Sequence, residues 1–181
     1  MKKLISTAIM MVFFFAAWAQ EEQTFEKNMN KHEFRIDALE LLAIPNIDIQ
    51  YEYALNKYSG FGLAMTYSLD DSYSEYQHYS INPYFRQYFF NKKDFGARGF
   101  FVEGLLKFAG GEDYWSYDTT GFEIDRKDWF NVGAGVVLGQ KWVSDNGFVL
   151  EISAGGGRYL LNNDGPKGFF RGGISIGYRF F

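Results

Sequence analysis

Hydrophobic residues recur at every second position along most of the chain. Such alternation, interrupted by turn-forming clusters, is typical of β-strands with one apolar face. We predict about eight strands from residue 33 onward. The first covers Glu33–Ala43, although Leu39-Glu40-Leu41-Leu42 breaks its alternation. The clear segments run from Ile47 to Tyr53, Phe61 to Tyr67, Tyr79 to Phe85, Val102 to Phe108, Val132 to Leu138, Leu150 to Ala154 and Ile174 to Phe180.

The residues between these apolar positions indicate which face is the inside. They are small or polar, and include Gly60, Gly62, Asn82, Gly135 and Gly155. A water-facing exterior rich in glycine would weaken every strand, whereas small residues fit the narrow lumen of an eight-stranded cylinder. The pattern therefore predicts an all-β fold: a transmembrane, antiparallel, up-and-down β-barrel of about eight strands with its apolar face outward.

The predicted connections alternate in length, which agrees with an outer-membrane barrel. From a periplasmic N-terminus, the periplasmic turns are Leu55–Ser59, Asn91–Ala97 and Ser144–Gly147, all short. The external loops are Ser68–Gln77, Gly110–Asp128 and Leu161–Gly168, and the middle one is the longest. The first external connection, around Ile44-Pro45-Asn46, is shorter than this pattern expects.

The N-terminus has the features of a secretory signal peptide. Met1-Lys2-Lys3 is positive, Leu4 to Phe15 is almost wholly apolar, and Ala17-Trp18-Ala19 is a small-x-small cleavage site. A membrane anchor is the alternative, but the apolar run is shorter than the roughly 20 residues of a spanning helix. We expect a signal peptide at 1–19, a periplasmic segment at 20–32 and a barrel domain at 33–181, in the outer membrane of a Gram-negative bacterium.

Composition excludes several classes of function. The net charge of −4 provides no basic surface for nucleic acid. The absence of cysteine excludes disulfides, thiolate zinc sites, thiol nucleophiles and a lipidated cysteine. Acidic residues at Asp70-Asp71, Glu112-Asp113 and Asp118 lack the spacing of a calcium loop. We therefore expect no metal and no cofactor.

Several motifs resemble a family of short, uncharacterised outer-membrane β-barrels common in Bacteroidota. They are Asn46-x-x-x-x-Tyr51-Glu52, Pro83-Tyr84-Phe85-Arg86-x-Tyr88-Phe89, Gly133-x-Gly135, Gly155-Gly156-Gly157 and Gly177-Tyr178-Arg179-Phe180. The resemblance covers Asp37 to Phe181, and family members often carry an acidic residue where this chain has Tyr84. The C-terminal aromatic, Phe180 or Phe181, resembles the signal read by the barrel-assembly machinery. The resemblance implies two partners, outer-membrane lipid and that machinery.

One pair of residues raises the alternative of an enzyme. His78-x-Ser80 resembles the His-x-Ser pair of outer-membrane lipid A deacylases, which are small barrels with a Ser-His-Glu arrangement. No glutamate lies between Ser80 and Phe101, and the pair shares its strand face with Asn82. We therefore assign His78, Ser80 and Asn82 to the rim of the lumen and expect no catalysis. A lipid-modifying enzyme and a soluble periplasmic barrel that binds a hydrophobic ligand remain alternatives.

Charged residues of the inward face are predicted to meet in the periplasmic half of the lumen. Because isolated buried charges are very costly, these residues must pair, and the paired network would close that end. The outward half, lined by Gly, Ser and Asn, would be a shallow cup. Any external ligand, of unknown identity, would bind there or on the Gly110–Asp128 loop. The predicted network consists of Arg35, Glu52, Arg86, Glu103, Lys141, Glu151 and Arg179.

Overall fold

The computed structural model describes residues 30–43, 45–69, 77–89, 97–113, 127–161 and 166–180. Within these ranges the chain forms eight strands and one short helix, α1 (Ala38–Ala43). The strands are β1 (His32–Asp37), β2 (Asn46–Ala54), β3 (Ser59–Ser68), β4 (Tyr79–Phe89), β5 (Gly99–Asp113), β6 (Lys127–Val143), β7 (Phe148–Tyr159) and β8 (Gly168–Phe180). The predicted signal peptide, most of the predicted periplasmic segment and most of the long external loops lie outside the described residues.

The strands form a closed antiparallel barrel in which each strand pairs with the next along the chain. β1 closes the barrel by pairing with β8, so that Ile36 lies opposite Ile49 on one side and Ile176 on the other. The predicted all-β, up-and-down, eight-stranded barrel is confirmed. Closure gives each strand a partner on both sides, which satisfies the backbone hydrogen bonds of the paired residues. On β8, the pairing with β1 covers only Ser175 to Phe180.

The prediction for the first strand was wrong in its second half. β1 ends at Asp37, and the residues from Ala38 to Ala43 form α1 instead of continuing the strand. The Asp37 carboxylate caps the helix by accepting hydrogen bonds from the backbone N–H groups of Leu39, at 2.9 Å, and Glu40, at 3.0 Å. Alanine, leucine and glutamate are strong helix formers, which explains why alternation fails there.

The exterior of the barrel is apolar on every strand. Large hydrophobic side chains are exposed at alternate positions, whereas the inward positions next to them are mostly buried and polar or charged. This is the reverse of the polarity of a water-soluble barrel. Representative exposed residues, one from each strand in order, are Ile36, Ile49, Met65, Ile81, Leu106, Val136, Ile152 and Ile176.

Inside the barrel, large and small side chains share a limited space. At Gly62 a Cβ atom would lie 2.3 Å from the ring of Tyr84 and 2.2 Å from the carbonyl oxygen of Tyr51, so only glycine fits there. At the end of the barrel that carries the short turns, Ala54, Tyr88, Ala97 and Phe101 form a buried apolar cluster. In the described part of the chain, no helix is long and apolar enough to cross a membrane.

Candidate functional site in the barrel lumen

Eight buried charged side chains fill the half of the lumen nearest the short turns. They include all seven residues of the predicted network, together with Glu33 of β1. The set contains four carboxylates and four cations and is therefore electrically balanced. We call it the inner network; it consists of Glu33, Arg35, Glu52, Arg86, Glu103, Lys141, Glu151 and Arg179.

Arg86 of β4 connects three carboxylates of the inner network. Its Nε atom donates to Glu103 at 2.6 Å, and its two terminal nitrogens donate to Glu151 at 2.7 and 3.0 Å. The same guanidinium also donates to Glu52 at 3.0 Å. Its carbon lies 4.2 Å from the centre of the Phe101 ring, so an aromatic face covers the cation. Arg86 thus joins β2, β5 and β7 across the lumen.

Glu52 of β2 contacts three cations of the inner network. Its Oε2 atom accepts hydrogen bonds from Arg35 at 3.0 Å, from Arg86 at 3.0 Å and from Lys141 at 2.8 Å. Its other oxygen accepts from the hydroxyl of Tyr88. Multiple charge-assisted hydrogen bonds compensate for the loss of hydration of a buried carboxylate.

Glu33 is the member of the inner network that sequence reasoning missed. It accepts hydrogen bonds from Lys141 at 2.9 Å and from Arg179 at 2.6 and 2.9 Å, and it also contacts Arg35. The sequence did contain the information, because Glu33 lies two residues before Arg35 and therefore on the same face of the strand. With Glu33 included, the predicted three carboxylates among four cations become four and four.

The outward half of the lumen differs from the predicted cup of Gly, Ser and Asn. It contains a second charged group, the outer cluster: Asp37, Glu40, Asp48, Lys107 and Arg171. Arg171 lies 3.4 Å from Asp48 and 3.5 Å from Glu103. Both distances are longer than the hydrogen bonds that Arg86 makes in the inner network, which are 3.0 Å or shorter. The outward half therefore holds charged side chains in addition to the small polar residues that were predicted, such as Ser80 and Asn82.

A small cavity lies within the outer cluster. Its volume is about 10 Å³, which is room for about one water molecule. Among its lining residues are Glu40, Ser153 and Arg171. Together, the inner network and the outer cluster contain seven carboxylates and six cations.

The three residues assigned to the rim have different surroundings. Ser80 and Asn82 are buried in the lumen, and the Ser80 hydroxyl contacts Thr66 at 3.2 Å and the Asn82 amide at 3.0 Å. His78 precedes β4, and its ring packs edge-on against the outward-facing Tyr67 with the ring centres 4.9 Å apart. The Ser80 hydroxyl thus hydrogen-bonds with Thr66, Asn82 and Gln77, whereas the imidazole packs against Tyr67.

The described residues contain no group of three or more His, Asp and Glu side chains arranged to hold a metal ion. The carboxylates of the inner network instead face arginine and lysine groups. The inner network can neutralise charge and occupy space: its almost fully buried side chains join opposite walls of the barrel.

A closed antiparallel barrel with an apolar exterior and a charged lumen has the architecture of transmembrane β-barrels. Comparisons of the sequence with protein-family models and with curated proteins found no match. Among solved structures, the chain is similar to the crystal structure of the N-terminal β-barrel domain of Pseudomonas aeruginosa OprF. The TM-score is 0.58 and the identity is 16%, over 84% of this chain and 98% of that domain. At this identity the likeness establishes the barrel fold.

Proposed function

We propose that the protein is an integral outer-membrane barrel that serves as a non-catalytic, non-conducting scaffold. The observation that carries this proposal is the inverted polarity of the barrel, in which an apolar exterior encloses a charge-balanced inner network. Lipid is the environment in which such an exterior is stable, and the pairing of neighbouring strands around the barrel satisfies backbone groups that hydrocarbon would leave without partners. The partners are outer-membrane lipid and the barrel-assembly machinery, and the chain is exported by a signal peptide that is cleaved after Ala19.

Fractionation tests the membrane part of the proposal. The mature protein is expected in the outer-membrane fraction, soluble only with detergent, and its unboiled form is expected to migrate differently from its boiled form on a gel. A mature protein that stays monomeric in buffer without detergent would contradict the proposal and favour the soluble periplasmic barrel.

Planar-bilayer recording tests the closed lumen. The wild type is expected to be silent, because the inner network spans the lumen with hydrogen bonds shorter than 3.1 Å around Arg86. The variants Arg86→Ala and Glu103→Ala are expected to leak, since each removes a side chain from the centre of the network. Arg158→Ala is the matched control, because Arg158 is exposed on the barrel exterior. Stable, large, ohmic channels in the wild type would refute the closed lumen.

A further inference from the structure

The barrel wall is incomplete at one place, where β1 ends. β1 pairs with β8 only as far as Asp37, which lies opposite Ser175. β8 continues beyond this point to Gly168 and pairs there with β7. In the described ranges, no strand pairs with the other edge of β8 between Gly168 and Ile174. Seven extended residues span roughly 24 Å, so the wall has a sizeable gap between β8 and β2 in its external half.

Helix α1 lies across this gap. It follows β1 directly and packs against both β8 and β2, the two strands that border the opening. Six helical residues are roughly 9 Å long, so α1 covers the part of the β8 edge next to Ser175. An uncovered strand edge in hydrocarbon would leave backbone groups without partners, which is very costly.

The two sides of α1 have opposite chemistry. Leu39, Leu41 and Leu42 are exposed, and Leu42 is the most exposed of them, at 87%. Glu40, by contrast, lines the small cavity of the outer cluster, and its Oε2 atom is buried without a hydrogen-bond partner in the described structure. The exposed leucines extend the apolar exterior of the barrel onto α1, since Ile36, the last outward-facing residue of β1, is exposed as well.

We propose that α1 is a lateral cover whose leucines contact the acyl chains of the outer leaflet and whose acidic side closes an opening from the lipid into the outer cluster. The occupant of the leucine surface is lipid, because that surface is continuous with the apolar exterior of the barrel. This inference rests on the proposed membrane location, and the experiments below separate the failure of one from the failure of the other.

The first experiment measures whether α1 contacts lipid. The chain has no cysteine, so a single introduced cysteine can carry a fluorophore. Three variants are labelled separately: Leu42→Cys in α1, Ile176→Cys on the barrel exterior and Asn146→Cys in the exposed β6–β7 turn. The proteins are reconstituted in phosphatidylcholine vesicles that carry a spin-label quencher on the acyl chain. The loss of fluorescence at position 42 is expected to be closer to that at 176 than to that at 146.

The two other possible quenching results distinguish failure of this inference from failure of the proposed function. Quenching at position 42 that is closer to the value at 146 would overturn the inference while leaving the barrel in the membrane. Absence of quenching at position 176 would instead refute the proposed function itself. Heat-modifiable migration on a gel shows that each labelled variant is folded.

The second experiment measures whether α1 closes the opening. Ser153 lines the cavity behind the helix, so the rate at which a membrane-soluble maleimide labels Ser153→Cys reports access from the lipid. Replacing Leu39 and Leu42 by lysine favours a state in which α1 has moved from the gap toward water. Labelling of Ser153→Cys is therefore expected to be roughly tenfold faster. The matched control replaces Leu160 and Leu161, two exposed leucines after β7, by lysine. Unchanged labelling in the α1 variant, or equal acceleration in the control, would overturn the inference.

Discussion

The substitution Arg86→Met removes the cation that joins three carboxylates of the inner network, while it keeps an unbranched side chain in part of the same space. Glu103 then loses its 2.6 Å hydrogen bond, and Glu151 loses both bonds from Arg86. Glu52 retains Lys141 and Arg35. The network changes from four carboxylates with four cations to four with three.

The expected cost follows from the burial of these groups. Breaking a buried ion pair by removing one partner destabilises a protein by about 3–5 kcal/mol, because the remaining charge is left uncompensated. The contact of the guanidinium with the Phe101 ring is lost as well. We expect Arg86→Met to lower the free energy of unfolding by about 4 kcal/mol, roughly a thousandfold in the folding equilibrium.

A double variant distinguishes charge imbalance from loss of packing. Adding Glu103→Gln to Arg86→Met restores equal numbers of carboxylates and cations, so it is expected to recover about 1–2 kcal/mol. A loss that came only from packing would not be recovered.

The assay is a urea titration in detergent micelles, in which heat-modifiable migration on a gel reports the folded fraction. The control is Arg158→Met on the barrel exterior, which is expected to change stability by less than about 1 kcal/mol. The reasoning is refuted if Arg86→Met unfolds within about 1 kcal/mol of the wild type, or if the double variant is no more stable than the single one.

Two further predictions concern other parts of the barrel. Gly62→Ala should destabilise the protein by about 1–3 kcal/mol in the same titration. Gly104→Ala should be tolerated, because a Cβ atom at Gly104 meets nothing within 4 Å. Equal effects of the two substitutions would contradict the packing argument. His78→Ala and Ser80→Ala should leave the mass spectrum of lipid A unchanged; an acyl chain that the wild type removes and either variant retains would establish the enzyme instead.

Much of the inner network could be predicted because strand parity is a local property. The alternation of apolar and polar residues within β4 alone predicts that Arg86 points inward, independently of the other strands. The antiparallel register then places Arg86 opposite Glu103, and Lys141 opposite Glu151. Short turns between these strands make such pairings the natural ones.

Glu33 and the outer cluster show where this reasoning stops. Glu33 lies in the strand with the weakest alternation, and its partners Lys141 and Arg179 are 108 and 146 residues away in the chain. Arg171 and Asp48 are 123 residues apart. The tilt and stagger of the closed barrel decide which of these side chains lie at the same height, and neither quantity is encoded in any single strand.

The amino-acid sequence by itself determined the strands, their inward and outward faces and the fold class, because each depends on a two-residue period and on local turn chemistry. Only the tertiary structure decided three other features: that the chain after Asp37 forms α1, that the inner network is electrically balanced, and that the outer half of the lumen is charged. The physical reason is that closure brings side chains from distant strands into one narrow space, where each charge is placed by the partners that it meets.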